Sequence, residues 1–308
     1  MEQASITVAV APAEAAWAVD AIRRGGGKVV RLDEEPVGLV WTSSRAVEEL
    51  RDVLKAHPQI SWVQLPMAGI ERVAQAGVLD QQRRWTSAKG SYAEPVAEHA
   101  LALLLAGLRQ LPERARAHSW GKPAGVSLFG RPVTIVGGGG IAIALLSLLK
   151  PFRTPVTIVR QHPEPVAGAV KTVGTSGLPE ALSGASAVIL ALALTPQNRG
   201  LIGREELAAM HEQAWLVNVA RGGLVDTDAL VEALRSHAIA GAALDVTDPE
   251  PLPAGHPLWD LPNCLITPHT ADTEEMIDRM LGRRIEENVA AFAASQPLLG
   301  VIDPTAGY

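Results

Sequence analysis

The 308-residue sequence predicts an α/β protein built from two doubly wound parallel-sheet domains. Three observations carry this. Short β-branched runs alternate with helix-length stretches from Ser5 to Lys89, a second alternating series runs from Pro132 to Pro268, and an apolar helix followed by a Gly- and Pro-rich connector lies between them. The length agrees, because a chain this long exceeds a single domain of roughly 100–200 residues.

In the first series ITVAV (6–10), KVVRL (28–32), GLVWT (38–42), WVQLP (62–66) and WTSAK (85–89) read as strands, with helical stretches such as Ala13–Arg24 and Ser44–His57 between them. Glu98–Leu111, EHALALLLAGLRQL, has apolar residues on nearly every side, as a helix buried between two domains requires. After the linker GKPAGVSLFGRP come six strand-like runs: PVTIV (132–136), PVTIV (155–159), AVILALA (187–193), AWLVNV (214–219), AGAALDV (240–246) and CLITP (264–268). Six strands with intervening helices is the doubly wound count. The repeated PVTIV does not recur a third time, so it marks two similar strands and not a solenoid period. In Asp272–Ala294, Asp272 and Glu275 have capping-box spacing, and Met276, Met280, Leu281, Ile285, Val289 and Phe292 form one stripe. This last helix is expected to return the chain to the first domain, giving domains 1–97 with 273–308, and 98–272.

Bulk composition excludes several classes. With 19% charged residues, 4% aromatics and a formal charge of −6, the surface has no electrostatic reason to attract nucleic acid or anionic membrane. The single cysteine, Cys264, cannot form an intramolecular disulfide, and no Cys/His spacing points to a metal site. Both fit a reducing cytoplasm, as does Glu2, where a signal peptide would need positive charge. Pro132–Leu149 is uncharged and reaches the ~18 residues of a membrane-helix candidate, but four consecutive glycines interrupt it. Strand, turn and helix is the better reading.

That turn carries chemistry. In VGGGGIA (136–142), Gly137 and Gly139 occupy the first two positions of a G-x-G-x-x-G/A fingerprint, and Ala142 takes the third. The first glycine permits the tight turn, the second admits a pyrophosphate to the backbone, and the small third residue lets helix close on strand. The amides around Gly140 and Ile141 then face the anion at a helix N-terminus. Arg160 follows the second strand, 23 residues after Gly137, where NAD sites usually place an acidic residue for the ribose 2′-hydroxyl. An arginine pairs with a 2′-phosphate instead, so NADP is favoured over NAD as the cofactor.

Arg221, Glu250 and His269 lie in three separate segments, LVNVARGGLVDTDAL, ALDVTDPEPLP and LITPHT. Together they supply an anion clamp, an orienting carboxylate and a titratable proton carrier, a set that suits reduction of a 2-keto acid. Each has a plainer reading: His269 is one of eight histidines, Arg221 precedes two glycines and could cap a turn, and Glu250 stands between prolines where it could be merely solvated.

The segments QLPMAGIE (64–71), YAEPVAEHALALLL (92–105), LTPQNRGLI (194–202), NVARGGLVDTDAL (218–230), LDVTDPEPL (244–252) and TPHTAD (267–272), with the glycine turn, occur in an order that resembles the D-isomer-specific 2-hydroxyacid dehydrogenase family. That family includes glyoxylate/hydroxypyruvate reductases and phosphoglycerate dehydrogenases. The resemblance implies a flavodoxin-like substrate domain beside a Rossmann dinucleotide-binding domain, with Arg221 binding substrate, Glu250 as its carboxylate partner residue and His269 as acid/base. It further implies that the backbone of Ala68 and Gly69, with Met67 at the pocket wall, binds the substrate carboxylate. Asp245 and the backbone around Val219 and Ala220 would meet the nicotinamide amide, while Leu192 and Asn198 would flank the cofactor. A homodimer paired through the nucleotide domain is implied too.

Two departures bear on substrate identity: Tyr92 stands where many members have asparagine, and Ala193 where many have proline. Trp41 either narrows the pocket toward small acids or fills the core. No extra regulatory domain fits in 308 residues, which argues against a serine-regulated phosphoglycerate dehydrogenase. The expectation is reduction of a small 2-keto acid of the glyoxylate or hydroxypyruvate type to the D-2-hydroxyacid. An NAD-dependent dehydrogenase of a larger hydroxyacid, or a non-catalytic dinucleotide-sensing protein such as the corepressors that resemble the family, stays open. A methyltransferase leaves the Arg221, Glu250 and His269 segments unexplained.

Overall fold

The computed structural model describes residues 5–304. Two compact units divide the chain, Met1–Tyr92 with Thr273–Tyr308, and Ala93–Asp272.

The first unit holds β1 (Thr7–Ala11), α1 (Ala16–Arg24), β2 (Lys28–Val29), β3 (Gly38–Trp41), α2 (Val47–Ala56), β4 (Trp62–Gln64), α3 (Glu71–Gln75) and β5 (Arg84–Thr86). Its strands form one parallel sheet in the order β2-β1-β3-β4-β5, the flavodoxin-like order. Every residue of β3 and β4 is buried, as expected for strands covered on both faces.

The second unit begins with α4 (Ala93–Leu108) and α5 (Leu111–Ala115), then β6 (Val133–Val136), α6 (Gly140–Leu149), β7 (Val156–Val159), β8 (Lys171–Val173), α7 (Leu178–Ser183), β9 (Ala187–Leu190), α8 (Arg204–Ala209), β10 (Trp215–Asn218), α9 (Thr227–Arg235), β11 (Gly241–Leu244) and β12 (Cys264–Ile266). Seven parallel strands run β12-β11-β10-β9-β6-β7-β8. The chain builds outward from β6 to β8, then restarts at β9 on the other side of β6, so the strand order reverses between β6 and β9. The sequence announces six of these strands. β8 escapes it because KTV is a three-residue edge strand with no fully buried position.

α4 is one continuous helix packed on α6, β10 and β11, so the boundary falls before Ala93 and not at residue 98. At its far end a Cβ on Gly107 would sit 2.4 Å from the Trp215 ring, so only glycine lets the helix backbone rest on that indole. The uncharged run 132–149 is divided between β6, the glycine turn and α6. Among the described residues no helix is long and apolar enough to cross a membrane. Cys264 is buried in the core, which pushes its thiol up to about 12, so the reactive thiolate is suppressed.

The returning helix α10 (Glu274–Ala293) belongs to the first unit, where it packs along α1. Leu281, Ile285 and Val289 of its stripe are fully buried, and Phe292 stacks on Trp62 with ring centroids 5.5 Å apart. The anticipated capping box does not form: Thr273 is the N-cap and makes no side-chain capping bond. Buried Asn288 ties the helix down, its Nδ2 donating to Gln64 Oε1 at 2.9 Å and its Oδ1 accepting from Leu299 N at 2.8 Å. Asn288→Ala leaves these buried groups unmatched, and denaturant unfolding should register a loss of about 1–3 kcal/mol.

Candidate active site

The carboxyl ends of β6 and β9 define the first part of the site. Gly137 has φ +120°, and a Cβ there would lie 2.2 Å from the Ala191 carbonyl oxygen. No side chain fits where these two strand ends part. A Cβ on Gly138 would meet Arg160 Cδ at 2.9 Å, so the Arg160 side chain lies across this glycine, a constraint the fingerprint did not announce. Gly139 is the N-cap of α6, and its Cβ position has nothing within 4 Å. Ala142 is fully buried, and the first turn of α6 carries no acidic residue. A cradle of glycines crossed only by the cationic Arg160 side chain, at the positive end of a ten-residue helix, fits a dinucleotide pyrophosphate. Gly140 and Ile141 begin that helix. Arg160 directly follows β7, and its Nη2 lies 3.8 Å from Glu164 Oε2, beyond hydrogen-bond reach.

Beyond β9, Leu192 is half-buried against the core of the unit. Asn198 shapes its own loop: its Nδ2 donates to Ala193 O at 2.8 Å and its Oδ1 accepts from Thr195 N at 2.7 Å.

The second part is built at the ends of β10, β11 and β12. Asn218, the last residue of β10, is buried; its Oδ1 accepts from Ala220 N at 3.0 Å and its Nδ2 donates to Arg221 O at 2.9 Å. This clamps the turn Val219–Arg221, and the Arg221 guanidinium donates to Ala220 O at 2.7 Å. A Cβ on Gly222 would stand 1.9 Å from Thr247 O. The arginine turn is therefore pressed onto the segment leading to Glu250, which explains the glycine after Arg221. Arg199 Nη1 to Asp248 Oδ2 and Thr227 Oγ1 to Asp248 O, both 2.8 Å, hold the same segment. Glu250 Oε1 then meets His269 Nδ1 at 2.7 Å, each side chain 43% exposed. With Nδ1 engaged, Nε2 is the ring nitrogen left to exchange a proton.

His269 stands at φ +52°, in the left-handed region, and its N–H donates to Asp245 O at 2.8 Å. The Asp245 side chain is buried, and both its oxygens accept hydrogen bonds: Oδ1 from Thr267 Oγ1 at 2.6 Å and Thr270 N at 2.9 Å, Oδ2 from Ala271 N at 3.1 Å. Burial pushes this carboxyl up, but hydrogen bonds from His99, Thr267 and the Thr270 amide outweigh it and hold the group at about 2. Asp272, which the sequence offered only as a helix cap, is a half-buried carboxyl. Burial pushes it up, partly offset by the charges of His269 and Arg221. His269 is only three residues earlier in the chain, but the influence of Arg221 comes from a distant segment that no local pattern announces.

In the first unit, Met67, Ala68 and Gly69 form the loop after β4, with Ala68 exposed and Met67 O accepting from Ala88 N at 3.0 Å. The Tyr92 hydroxyl donates to Pro66 O at 2.7 Å, directly ahead of that loop. Trp41 is fully buried in the core with Leu39 and Leu50, so the core alternative holds and it narrows no pocket.

Residues 99–271 match the family described as D-isomer specific 2-hydroxyacid dehydrogenase, NAD binding domain. This chain belongs to the D-isomer-specific 2-hydroxyacid dehydrogenase family. It is 40% identical over 81% of its length to an uncharacterized protein in the proB 3′ region of Corynebacterium melassecola, covering 84% of that protein. It is 34% identical, over 67% of its length, to human glyoxylate reductase/hydroxypyruvate reductase, of which it spans 65%. Among solved structures, a D-isomer specific 2-hydroxyacid dehydrogenase from Xanthobacter autotrophicus Py2, in complex with NADPH and MES, superposes with a TM-score of 0.84 at 28% identity over 99% of this chain and all of that one. Dehydrogenase family, oxidoreductase class and Rossmann-type nucleotide domain stand together.

The low carboxyl of Asp245 makes a sign-definite prediction. A group depressed on folding stabilises the native state above its unfolded value of about 3.9, and that contribution disappears as pH falls through about 2. In Asp245→Asn an amide Nδ2 faces the Ala271 N–H, donor against donor. The variant should unfold more readily than wild type at pH 7, with the gap narrowing as the solution is acidified toward pH 2; a pH-independent gap would contradict this.

Proposed function

We propose that this dehydrogenase reduces a small 2-keto acid of the glyoxylate or hydroxypyruvate type to the D-2-hydroxyacid, with NADPH preferred over NADH. The observation that carries the proposal is the Glu250–His269 pair at 2.7 Å, with the segment leading to Glu250 pressed against the arginine turn. A bound nicotinamide cofactor would supply the hydride to the carbonyl carbon. The residues have separable tasks. Arg221 holds the substrate carboxylate and polarises the carbonyl, since a guanidinium matches a carboxylate in shape and charge. Glu250 fixes the ring through Nδ1, and His269 Nε2 delivers a proton to the carbonyl oxygen as the alkoxide develops. In the oxidative direction the same nitrogen takes it back. Met67 and the backbone amides of Ala68 and Gly69 belong to the proposal as the family's carboxylate-binding loop.

For the dinucleotide, the turn Gly137–Ile141 would hold the pyrophosphate, Leu192 and Asn198 would flank the cofactor, and the backbone of Val219 and Ala220, with Asp245, would meet the nicotinamide amide. Preference for NADPH is supported by Arg160, a guanidinium at the strand end where an acidic residue would select NADH. The Xanthobacter relative's complex with NADPH supports it as well, and the human relative's name supports a small acid. The proposal includes a homodimer, checked by light scattering, in the cytoplasm.

Following nicotinamide absorbance against glyoxylate, hydroxypyruvate, pyruvate and phenylpyruvate tests the reading. Turnover should be fastest with glyoxylate and hydroxypyruvate, and no turnover with any acid would favour a dinucleotide-sensing protein. His269→Ala or Arg221→Ala should cost at least about 100-fold in kcat/KM; a loss of only a few-fold contradicts the roles assigned. Arg160→Ala should lower kcat/KM for NADPH roughly ten-fold and leave NADH little changed, whereas an enzyme that prefers NADH from the outset removes the cofactor assignment.

A further inference from the structure

We infer that His99 is a positioning residue for His269, acting through Thr267 and Asp245; the inference rests on the proposed proton-transfer role of His269.

His99 lies in the second turn of α4, in a stretch otherwise rich in apolar residues, and its side chain is 22% exposed. Its Nε2 is 3.1 Å from Thr267 Oγ1 and 3.3 Å from Asp245 Oδ1. The Thr267 hydroxyl donates its single hydrogen to Asp245 Oδ1 at 2.6 Å, so it can only accept from the ring. His99 Nε2 therefore carries a hydrogen, which fixes the tautomer of a neutral imidazole. The result is a directed chain from His99 N–H through the Thr267 hydroxyl to the Asp245 carboxylate.

From there the grip passes to the loop that holds His269. Asp245 accepts from Thr270 N and Ala271 N through its carboxylate and from His269 N through its main-chain carbonyl. The segment 267–271 thus hangs from one aspartate, and His269 occupies a left-handed conformation that a residue with a Cβ adopts only when its surroundings impose it. Removing the His99 donor loosens Thr267 and one carboxylate oxygen together. The loop can then relax, and the 2.7 Å contact between His269 and Glu250 is no longer enforced. Small displacements of an acid/base group cost rate without altering what binds.

The test compares His99→Ala and His99→Gln, whose side-chain amide can again donate to Thr267. In His99→Ala, kcat should fall about ten-fold while KM and the NADPH Kd stay within about two-fold, and His99→Gln should recover kcat to within about three-fold of wild type. The ring nitrogen resonances of His269, assigned by their absence in His269→Ala, should shift in His99→Ala and return in His99→Gln. A folded His99→Ala with unchanged kcat and unchanged His269 resonances overturns the inference, as does an equal loss in both variants. If wild type turns over no keto acid, the functional reading fails while the resonances alone still decide this one. Should His99→Ala not fold, Thr267→Val, which lacks the relaying hydroxyl, is read by the same criteria.

Discussion

The arrangement depends on a single close approach, the main chain of Gly222 against the carbonyl of Thr247. Because parallel strands end side by side, the loops after β10, β11 and β12 emerge at the same edge of the sheet. Adjacency alone leaves such loops free to splay. The missing Cβ at Gly222 lets the arginine turn lie directly on the chain that leads to Glu250, while Asn218 locks that turn from beneath. The arginine turn and the chain leading to Glu250 are thereby set by backbone packing, and the Glu250–His269 bond ties the imidazole to them.

Electrostatics then differentiates three carboxyls in one neighbourhood. Asp245 is buried yet strongly ionised because four donors surround it. Asp272 is half-buried, and charges nearby offset its burial only in part. Glu250 is the exposed one, and it holds the histidine. On the proposed reading the substrate is an anion that a negative site would repel, and Arg221 is the group that would counter this. The cradle before α6 is likewise free of acidic side chains in its first turn, which suits the anionic part of a dinucleotide.

Much of this was legible in the chain itself. The long apolar runs fixed the sheets because both faces of each are covered, and β8 was lost only because a short, half-exposed edge strand leaves no run to see. The glycine fingerprint was readable from spacing, whereas the role of Gly138 needed Arg160 folded across it. Asp272 misled: it has the spacing of a helix cap but caps nothing, and its carboxyl feels the charges of nearby His269 and of Arg221 from a distant segment. Glu250 and His269 are 19 residues apart and share no local periodicity, so the resemblance of their segments to a family announced them before geometry did. Asn218 and His99 act on loops distant in sequence, and nothing short of the fold connects them.

The central claim is that His269 faces the carbonyl oxygen of a 2-keto acid whose carboxylate Arg221 holds. The most direct measurement is a crystal structure of this chain with NADP and oxamate, a 2-keto acid mimic that cannot be reduced. The account predicts the oxamate carboxylate on the Arg221 guanidinium and its carbonyl oxygen within about 3 Å of His269 Nε2. Oxamate bound away from Arg221, or His269 Nε2 turned from it with the Glu250 bond broken, would contradict it.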